Sequence, residues 1–390
     1  VDTTHEKDNT GVNANENELA DAINNMAIND ADEDKLYDPS RSITQRIETA
    51  VQKYRKNRKF SPTRNQVFSS YLRFGGINTG QKSFLGQDGL NCEDADADEI
   101  AARRATDYIE ENDDELEVDF TYTIRVYLSS YLIDKSGYVQ MDQFREAPLV
   151  VTSFLNYLIK HEVCNEYLSD MQEALKIAER AKYELPNCKL FAQLAPGKFN
   201  KACSLIFGGE LYGMFESTWF GEESVAKMIG ISQNDADLTV KKIFGQNVQG
   251  ELKQVPEASK KALFVEVIDI EPVPDSVTSD KTINEETSTT EDITANSTTI
   301  ETNATECTMN EQTSLNDEYL QKMSVRAFQV SDAETITVYI EPDIARCATL
   351  GMLITADFHQ LNNGRWYFDR VTNVYPSYYL VGEESSDEDE

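Results

Sequence analysis

Four groupings of residues in this chain have the types and spacing that chemistry uses, and each meets a requirement it does not fulfil. Gly75-Gly-Ile-Asn-Thr-Gly80-Gln-Lys82-Ser83 has the outline of a phosphate loop. Such a loop needs G-x4-G-K-[S/T], because its amides cradle phosphate while the Lys reaches the terminal oxygens. Here Gln81 separates Gly80 from Lys82, the segment follows a predicted helix where a strand is required, and no helix directly follows. A structural turn or a partner contact fits it better. His161-x-x-Cys164 is half of a zinc set, but tetrahedral zinc needs four ligands, and Cys188 and Cys203 are not spaced to complete it. His161 reads as the end cap of its helix. Asp30-x-Asp32-x-Asp34 and Asp94-x-Asp96-x-Asp98 carry Lys35 and Glu99 where a calcium loop needs Gly for its sharp turn, so both read as solvated acidic runs. A Ser or Cys nucleophile needs a base, and the part of the chain expected to fold offers only His161 and His359, neither beside a nucleophile-elbow pattern. The expectation is no enzyme, no metal and no cofactor.

The strongest non-catalytic grouping runs from Lys53 to Arg64, with six bases in twelve residues and two rings interleaved. Its candidate contacts are Lys53, Tyr54, Arg55, Lys56, Arg58, Lys59, Phe60 and Arg64. Phosphate oxygens would take the bases, and the rings would be available to stack. The same pattern also suits the polar face of an amphipathic helix, meeting a protein partner or neutralising acid such as residues 93–119. A nuclear localisation signal is a further reading.

Charge shows where such elements sit. The 390 residues carry a formal charge of −33. Residues 1–40 hold eleven acids and two bases, residues 93–119 thirteen acids and two bases, and residues 269–318 thirteen acids and one base. Glu383 to Glu390 adds six acids, whereas residues 41–82 hold ten bases and one acid. The acidity therefore belongs to tails and insertions, and a generally basic nucleic-acid binder is excluded. The longest apolar run, Leu149 to Ile159, is too short to cross a membrane, and the N-terminus shows no signal-peptide pattern. Six scattered cysteines without a CxxC pair read as reduced thiols of an intracellular protein, which would leave the sequons at Asn296 and Asn303 unused.

The elements that must position these residues follow from periodicity. Residues 1–40 are too polar to order. Ile43, Ile47, Val51 and Tyr54 predict one helix, and Ser61-Pro62 followed by Val67, Phe68, Tyr71 and Leu72 predicts a second, ended by Gly75-Gly76. A glycine-rich loop to Gly89 and a helix from Ala97 to Glu111 come next. Val118 to Ile133 fits both strand and helix, and its length favours helix. Helices are expected at Pro148–His161, Glu166–Leu185 (closed by Pro186), Phe199–Phe207, Ser224–Ile229 and Asp235–Phe244. Strands are expected at Leu263–Ile270, Val325–Val330, Thr335–Ile340, Leu350–Phe358, Trp366–Val371 and Tyr378–Val381, with a hairpin turn at Leu361-Asn-Asn-Gly-Arg. The fold class is α+β. A mainly helical domain spans 41–262, and an antiparallel β region comprises 263–275 and 319–382. The Ser/Thr/Asn-rich insertion 276–318 and the tails 1–40 and 383–390 are read as disordered. In the last tail, Ser385 and Ser386 each have an acid three residues on, the pattern acid-directed kinases prefer.

An ordered series of segments resembles a fungal family of Argonaute-binding subunits. It comprises Arg58-Lys-Phe-Ser-Pro-Thr-Arg64, Tyr71-Leu-Arg-Phe-Gly-Gly-Ile77, Val118-Asp-Phe120, Leu128-Ser-Ser130, Phe154-Leu-Asn-Tyr-Leu158 and His161-Glu-Val-Cys-Asn-Glu-Tyr167. It continues through Pro196-Gly-Lys-Phe-Asn-Lys-Ala-Cys-Ser204, Phe207-Gly-Gly209, Gly351-Met-Leu-Ile354, Asn363-Gly-Arg-Trp-Tyr367 and Val374-Tyr-Pro-Ser-Tyr-Tyr379. The family is the first Argonaute-binding subunit of the Argonaute siRNA chaperone complex. The resemblance implies a non-catalytic protein that holds Argonaute with a second Argonaute-binding subunit and duplex siRNA. It further implies restraint of passenger-strand release and slicing, support of siRNA production and heterochromatic histone methylation, and residence in nucleus and cytoplasm, off the membrane. Gly-Trp or Trp-Gly hooks do not occur: Trp219 lies between Thr218 and Phe220, and Trp366 between Arg365 and Tyr367. A folded surface is therefore expected to make the Argonaute contact.

Overall fold

A computed structural model describes residues 36–79, 109, 118–137, 139–216, 221–245, 251–272 and 320–381. The chain is α+β, as its sequence implies, and divides into two compact units: residues 1–189 with 375–390, and residues 190–374. This boundary lies inside a long helix and not at the change from helical to β-rich sequence near residue 262. The reason is that helices of the middle segment and the strands after them form one unit.

In the first unit, α1 (Ile43–Lys56) and α2 (Pro62–Phe74) begin at Ser42 and Ser61, whose hydroxyls accept from the Gln45 and Arg64 amides. The end of α2 is a Schellman cap. Gly76 takes φ +81, its amide donates to Arg73 O, and the Ile77 amide reaches back to Leu72 O. Gly75-Gly76 thus ends a helix, its amides bonded to Tyr71 O and Arg73 O; residues 80–83 lie outside the described residues, as do the expected helix at 97–111 apart from Ile109 and both acidic triplets. The ambiguous stretch is helical: α3 (Phe120–Val126) continues into a π-helix, Tyr127–Lys135, buried through Tyr127, Leu128, Ser129 and Leu132. The next two helices run longer than the sequence predicts. Pro148 lies inside α4 (Met141–Lys160) and Pro186 inside α5 (Leu168–Leu194). Pro186 does not end its helix, because burial of Leu185, Cys188 and Phe191 on consecutive turns outweighs the lost backbone bond.

The core of this unit is an aromatic cluster. The Tyr54 ring lies within 5.8 Å of Phe60, 5.2 Å of Phe68, 5.1 Å of Phe154 and 5.4 Å of Tyr157, centroid to centroid. Truncating a ring here to Ala costs about 3–5 kcal/mol. The expected strand at Tyr378–Val381 does not form. Its backbone instead meets the π-helix: Leu380 N donates to Ser129 Oγ at 3.2 Å, and Tyr378 Oη donates to Leu128 O at 3.3 Å.

The second unit carries α6 (Gly197–Phe207), α7 (Glu222–Ile229) and α8 (Gln233–Phe244), then β1 (Gln254–Ile270), β2 (Gln321–Ala327), β3 (Thr335–Ile340), α9 (Pro342–Cys347), β4 (Leu353–Leu361) and β5 (Trp366–Tyr375). Ala202 and Leu205 of α6, Val225 and Ile229 of α7, and Ala236 and Val240 of α8 share one core. The sheet order is β3-β2-β1-β4-β5. The strand before the insertion is its centre, pairing antiparallel with β2 (Ile270↔Met323) and with β4 (Glu266↔Leu353). It starts at Gln254, nine residues before the periodicity shows it, because register shifts between Val255 and Leu263, with Ala262 at φ +45, break the alternation. The predicted turn joins β4 to β5, with Leu361 N bonded to Arg365 O and Gly364 N to Leu361 O.

Candidate interaction surface

The basic segment occupies the last turn of α1, the link after it and the first turn of α2. Bases at a helix C-terminus meet the negative end of its dipole, one local reason for Lys53, Arg55 and Lys56 to stand there. Folding then divides the candidates. Tyr54 is 2% exposed and belongs to the aromatic core, so it offers no face to a base. Phe60 is half-buried and stacked on Phe68 at 5.5 Å. Arg55 donates to Asn65 Oδ1 at 2.6 Å and to Ser69 Oγ at 2.9 Å, over the Phe68 ring. Arg58 lies 4.1 Å above the Tyr54 ring and donates to Ser153 Oγ. Arg64 Nε lies 2.6 Å from Glu146. Lys53 is half-buried and already has an interaction of its own. That leaves Lys56 and Lys59 exposed and without a partner among the described residues. The structure thus brings the segment onto α4, through Glu146 and Ser153, with Lys56, Arg58 and Lys59 outward. Ser385 and Ser386 lie outside the described residues.

Arg46, which the sequence reading did not single out, is buried and pins another part of the unit. It donates to Val163 O at 2.7 Å and pairs with Glu166, whose carboxyl is held below its ordinary range mainly by that bond. His161 ends α4 as its C-cap, as read from the sequence, and its ring lies 4.3 Å from that of Tyr157. Cys164 beside it is buried, and burial pushes its thiol up to about 12.

The second unit holds a polar cluster that sequence reasoning missed. Asp369 Oδ2 accepts from Ser204 Oγ at 2.5 Å and from Glu210 N at 2.8 Å, while Oδ1 lies 3.0 Å from His359 Nε2. Gln254 Nε2 lies 2.7 Å from the other ring nitrogen of His359 and 2.8 Å from Ser259 Oγ. Burial alone would raise the Asp369 carboxyl, but His359, Ser204 and the Glu210 amide outweigh it and hold the carboxyl below its ordinary range. Ser, His and Asp are present, yet the aspartate sits between the other two, so the base cannot take the hydroxyl proton. All three are buried. Asp357, His359 and Asp369 are also the described residues with metal-ligand spacing, their ligand atoms lying within 4.8 Å of one another. Asp357 is already held by Ala262 N at 2.7 Å, Lys261 Nζ at 3.1 Å and Arg370 Nη2 at 3.4 Å. Two cations at that carboxylate oppose a third.

The cluster explains part of the motif series. Along α6, Phe199 N donates to Glu341, Asn200 donates to Tyr339 O at 2.8 Å, Ser204 holds Asp369, and Tyr367 Oη donates to Gly208 O. A Cβ at Gly209 (φ +147) would lie 2.2 Å from Asp369 Oδ2, and one at Gly208 (φ +126) 2.2 Å from Gln254 Oε1. The Phe207-Gly-Gly209 motif is therefore a steric requirement for seating α6 on the sheet.

The described polar clusters of this α+β chain bond within their own units, Arg46 with Glu166 in the first and Asp369 with Ser204 and His359 in the second. Its sequence matches, across residues 6–386, the family described as Argonaute siRNA chaperone (ARC) complex subunit Arb1, and the chain belongs to that family. It is similar to Argonaute-binding protein 1 of Schizosaccharomyces pombe, 33% identical over 202 residues, which are 51% of this chain and 50% of that protein. The match thus spans about half the length of each. The motif series suggests that fission-yeast protein itself; at this identity the chain is a relative of it instead. No solved structure matches the chain.

Proposed function

We propose that this chain is a non-catalytic subunit of an Argonaute siRNA chaperone complex, binding Argonaute that carries duplex siRNA together with a second Argonaute-binding subunit. In this role it restrains passenger-strand release and slicing, and supports siRNA production and heterochromatic histone methylation in nucleus and cytoplasm. The observation that carries the reading is the family match over residues 6–386. The motif residues Asn200, Ser204, Gly208, Gly209 and Tyr367 have a structural place beside it, because they fix α6 on the sheet. The lack of Gly-Trp hooks leaves a folded surface as the contact. Affinity purification of the tagged chain from its own cells tests this: Argonaute and a second subunit should be the leading co-purifying proteins, and their absence overturns the reading.

A second reading rests on the outward Lys56, Arg58 and Lys59: contact with RNA phosphates independent of Argonaute. Binding of a short RNA duplex by the purified chain alone, steeply weakened by salt, would favour it over the first.

A further inference from the structure

A groove on the first unit, about 400 Å³ in volume, lies between α4 and α5 and is lined by Arg145, Leu149, Lys182, Tyr183, Pro186 and Asn187. Leu149 is 41% exposed and Tyr183 75% exposed, an unusual state for apolar bodies of this size beside one another. Two cations rim the groove. Arg145 has Asp142 at 3.9 Å and Lys182 has Glu179 at 2.6 Å, surface pairs that a competing carboxylate displaces at little cost. The groove also continues the basic segment. Glu146, Leu149 and Ser153, at i, i+3 and i+7, share one face of α4, and Arg64 and Arg58 are fastened to the first and last of them. An apolar floor edged by Arg145, Lys182, Arg64 and Arg58 suits an acidic amphipathic helix.

The chain carries such a segment, and its attachment point is nearby. In Glu16-Asn-Glu-Leu-Ala-Asp-Ala-Ile-Asn-Asn-Met-Ala-Ile28, Leu19, Ile23 and Met26 recur at i, i+4 and i+7, with Glu16, Glu18 and Asp21 among them and no base from Asp8 to Asp34. The described chain starts at Leu36 and Tyr37, and Tyr37 Oη lies 3.1 Å from Tyr157 Oη of α4. Leu149 lies eight residues along α4 from Tyr157, about 12 Å. The ten residues from Met26 to Leu36 span up to about 33 Å. The reach is ample.

We propose that residues 16–28 of this same chain dock in the groove between α4 and α5, with Leu19, Ile23 and Met26 against Leu149, Tyr183 and Pro186 and the carboxylates toward Arg145 and Lys182. Docked there, the acidic segment lies along the edge that carries Arg58 and Arg64 and competes with any polyanion for it.

The test places photoreactive benzoylphenylalanine at position 183 of the full-length chain, a position exposed enough to accept it without loss of fold. Irradiation followed by tryptic mass spectrometry should give an intramolecular cross-link to the peptide Asp8–Lys35. That cross-link should be lost in the full-length variant Leu19→Asp, Ile23→Asp, Met26→Asp. A cross-link to another segment, a cross-linked dimer, no cross-link, or one that survives the triple substitution would each overturn the proposal.

Discussion

Ser204 Oγ and Asp369 Oδ2, 165 positions apart in the chain, lie 2.5 Å from each other in the interior of the second unit. Each is a residue of α6 or β5 that no periodicity would mark as a pair, and between them they fix the helix to the sheet. Replacing Ser204 by Ala leaves a buried carboxylate short of one donor. It should cost about 1–3 kcal/mol, read as a fall in denaturation midpoint, while Ser331→Ala at an exposed turn of the second unit should cost less than about 0.5 kcal/mol. Equal costs at the two sites would contradict the role assigned to Ser204.

The same aspartate sets a pH dependence. Its carboxyl is held below the ordinary range by His359, Ser204 and the Glu210 amide, against the effect of burial. A group depressed in the folded chain stabilises it at every pH above the unfolded value, near about 3.9. That contribution is lost as pH falls through the lower folded value. The stability gap between the native chain and Asp369→Asn should therefore be full at neutral pH and narrow below about pH 4. Melting curves of both proteins across pH 3–7 measure it; a gap that stays constant would mean that the carboxylate's charge contributes nothing.

Much of the fold was legible in the sequence, for reasons that single residues show. Ser61-Pro62 starts α2 and Gly75-Gly76 ends it, because capping chemistry is local. The turn at Leu361–Arg365 and the strand Thr335–Ile340 were legible for the same reason. Non-local effects were not. Pro186 breaks a helix in isolation but not where Cys188 and Phe191 are buried just beyond it. The Tyr378 segment has strand-like residues but pairs with a π-helix through Ser129. The Asp369 cluster draws on residues 204, 254, 359 and 369, which no spacing connects; its one signal is Asp357, His359 and Asp369 standing next to the large rings of Phe358 and Phe368 in β4 and β5. In the basic segment, charge was visible and burial was not, so Tyr54 read as an available ring.

Arg46 and the outward lysines should behave oppositely. Arg46→Ala removes donors from the buried Val163 O and from the exposed carboxylate of Glu166, and should cost about 1–3 kcal/mol. Lys56→Glu with Lys59→Glu should leave the melting temperature within a few degrees, since neither side chain has a partner among the described residues. In the proposed complex, the double reversal should lower recovery with RNA-loaded Argonaute about tenfold, or about 1.4 kcal/mol. Unchanged recovery would reduce the two lysines to a solvated helix end.

Deleting residues 276–314 should leave folding intact. Ile270 of β1 pairs with Met323 of β2, so the eleven residues that remain between Ile270 and Gln321 still close that connection. Thermal melting checks this, and a fall of more than a few degrees would mean that the segment contributes to the fold.

Phosphate on Ser385 and Ser386 should appear in the intact mass of the native protein, each adding roughly −1.5 to −2 charges at neutral pH. An intact mass without phosphate contradicts this assignment.

The central claim is that the chain accompanies Argonaute while the siRNA is still a duplex. Small-RNA sequencing of Argonaute recovered through this chain measures it directly. The account predicts guide and passenger strands in nearly equal numbers, against an excess of guides on Argonaute recovered without it. Guide strands alone in the chain-bound fraction, or siRNA recovered with the chain in the absence of Argonaute, would contradict it.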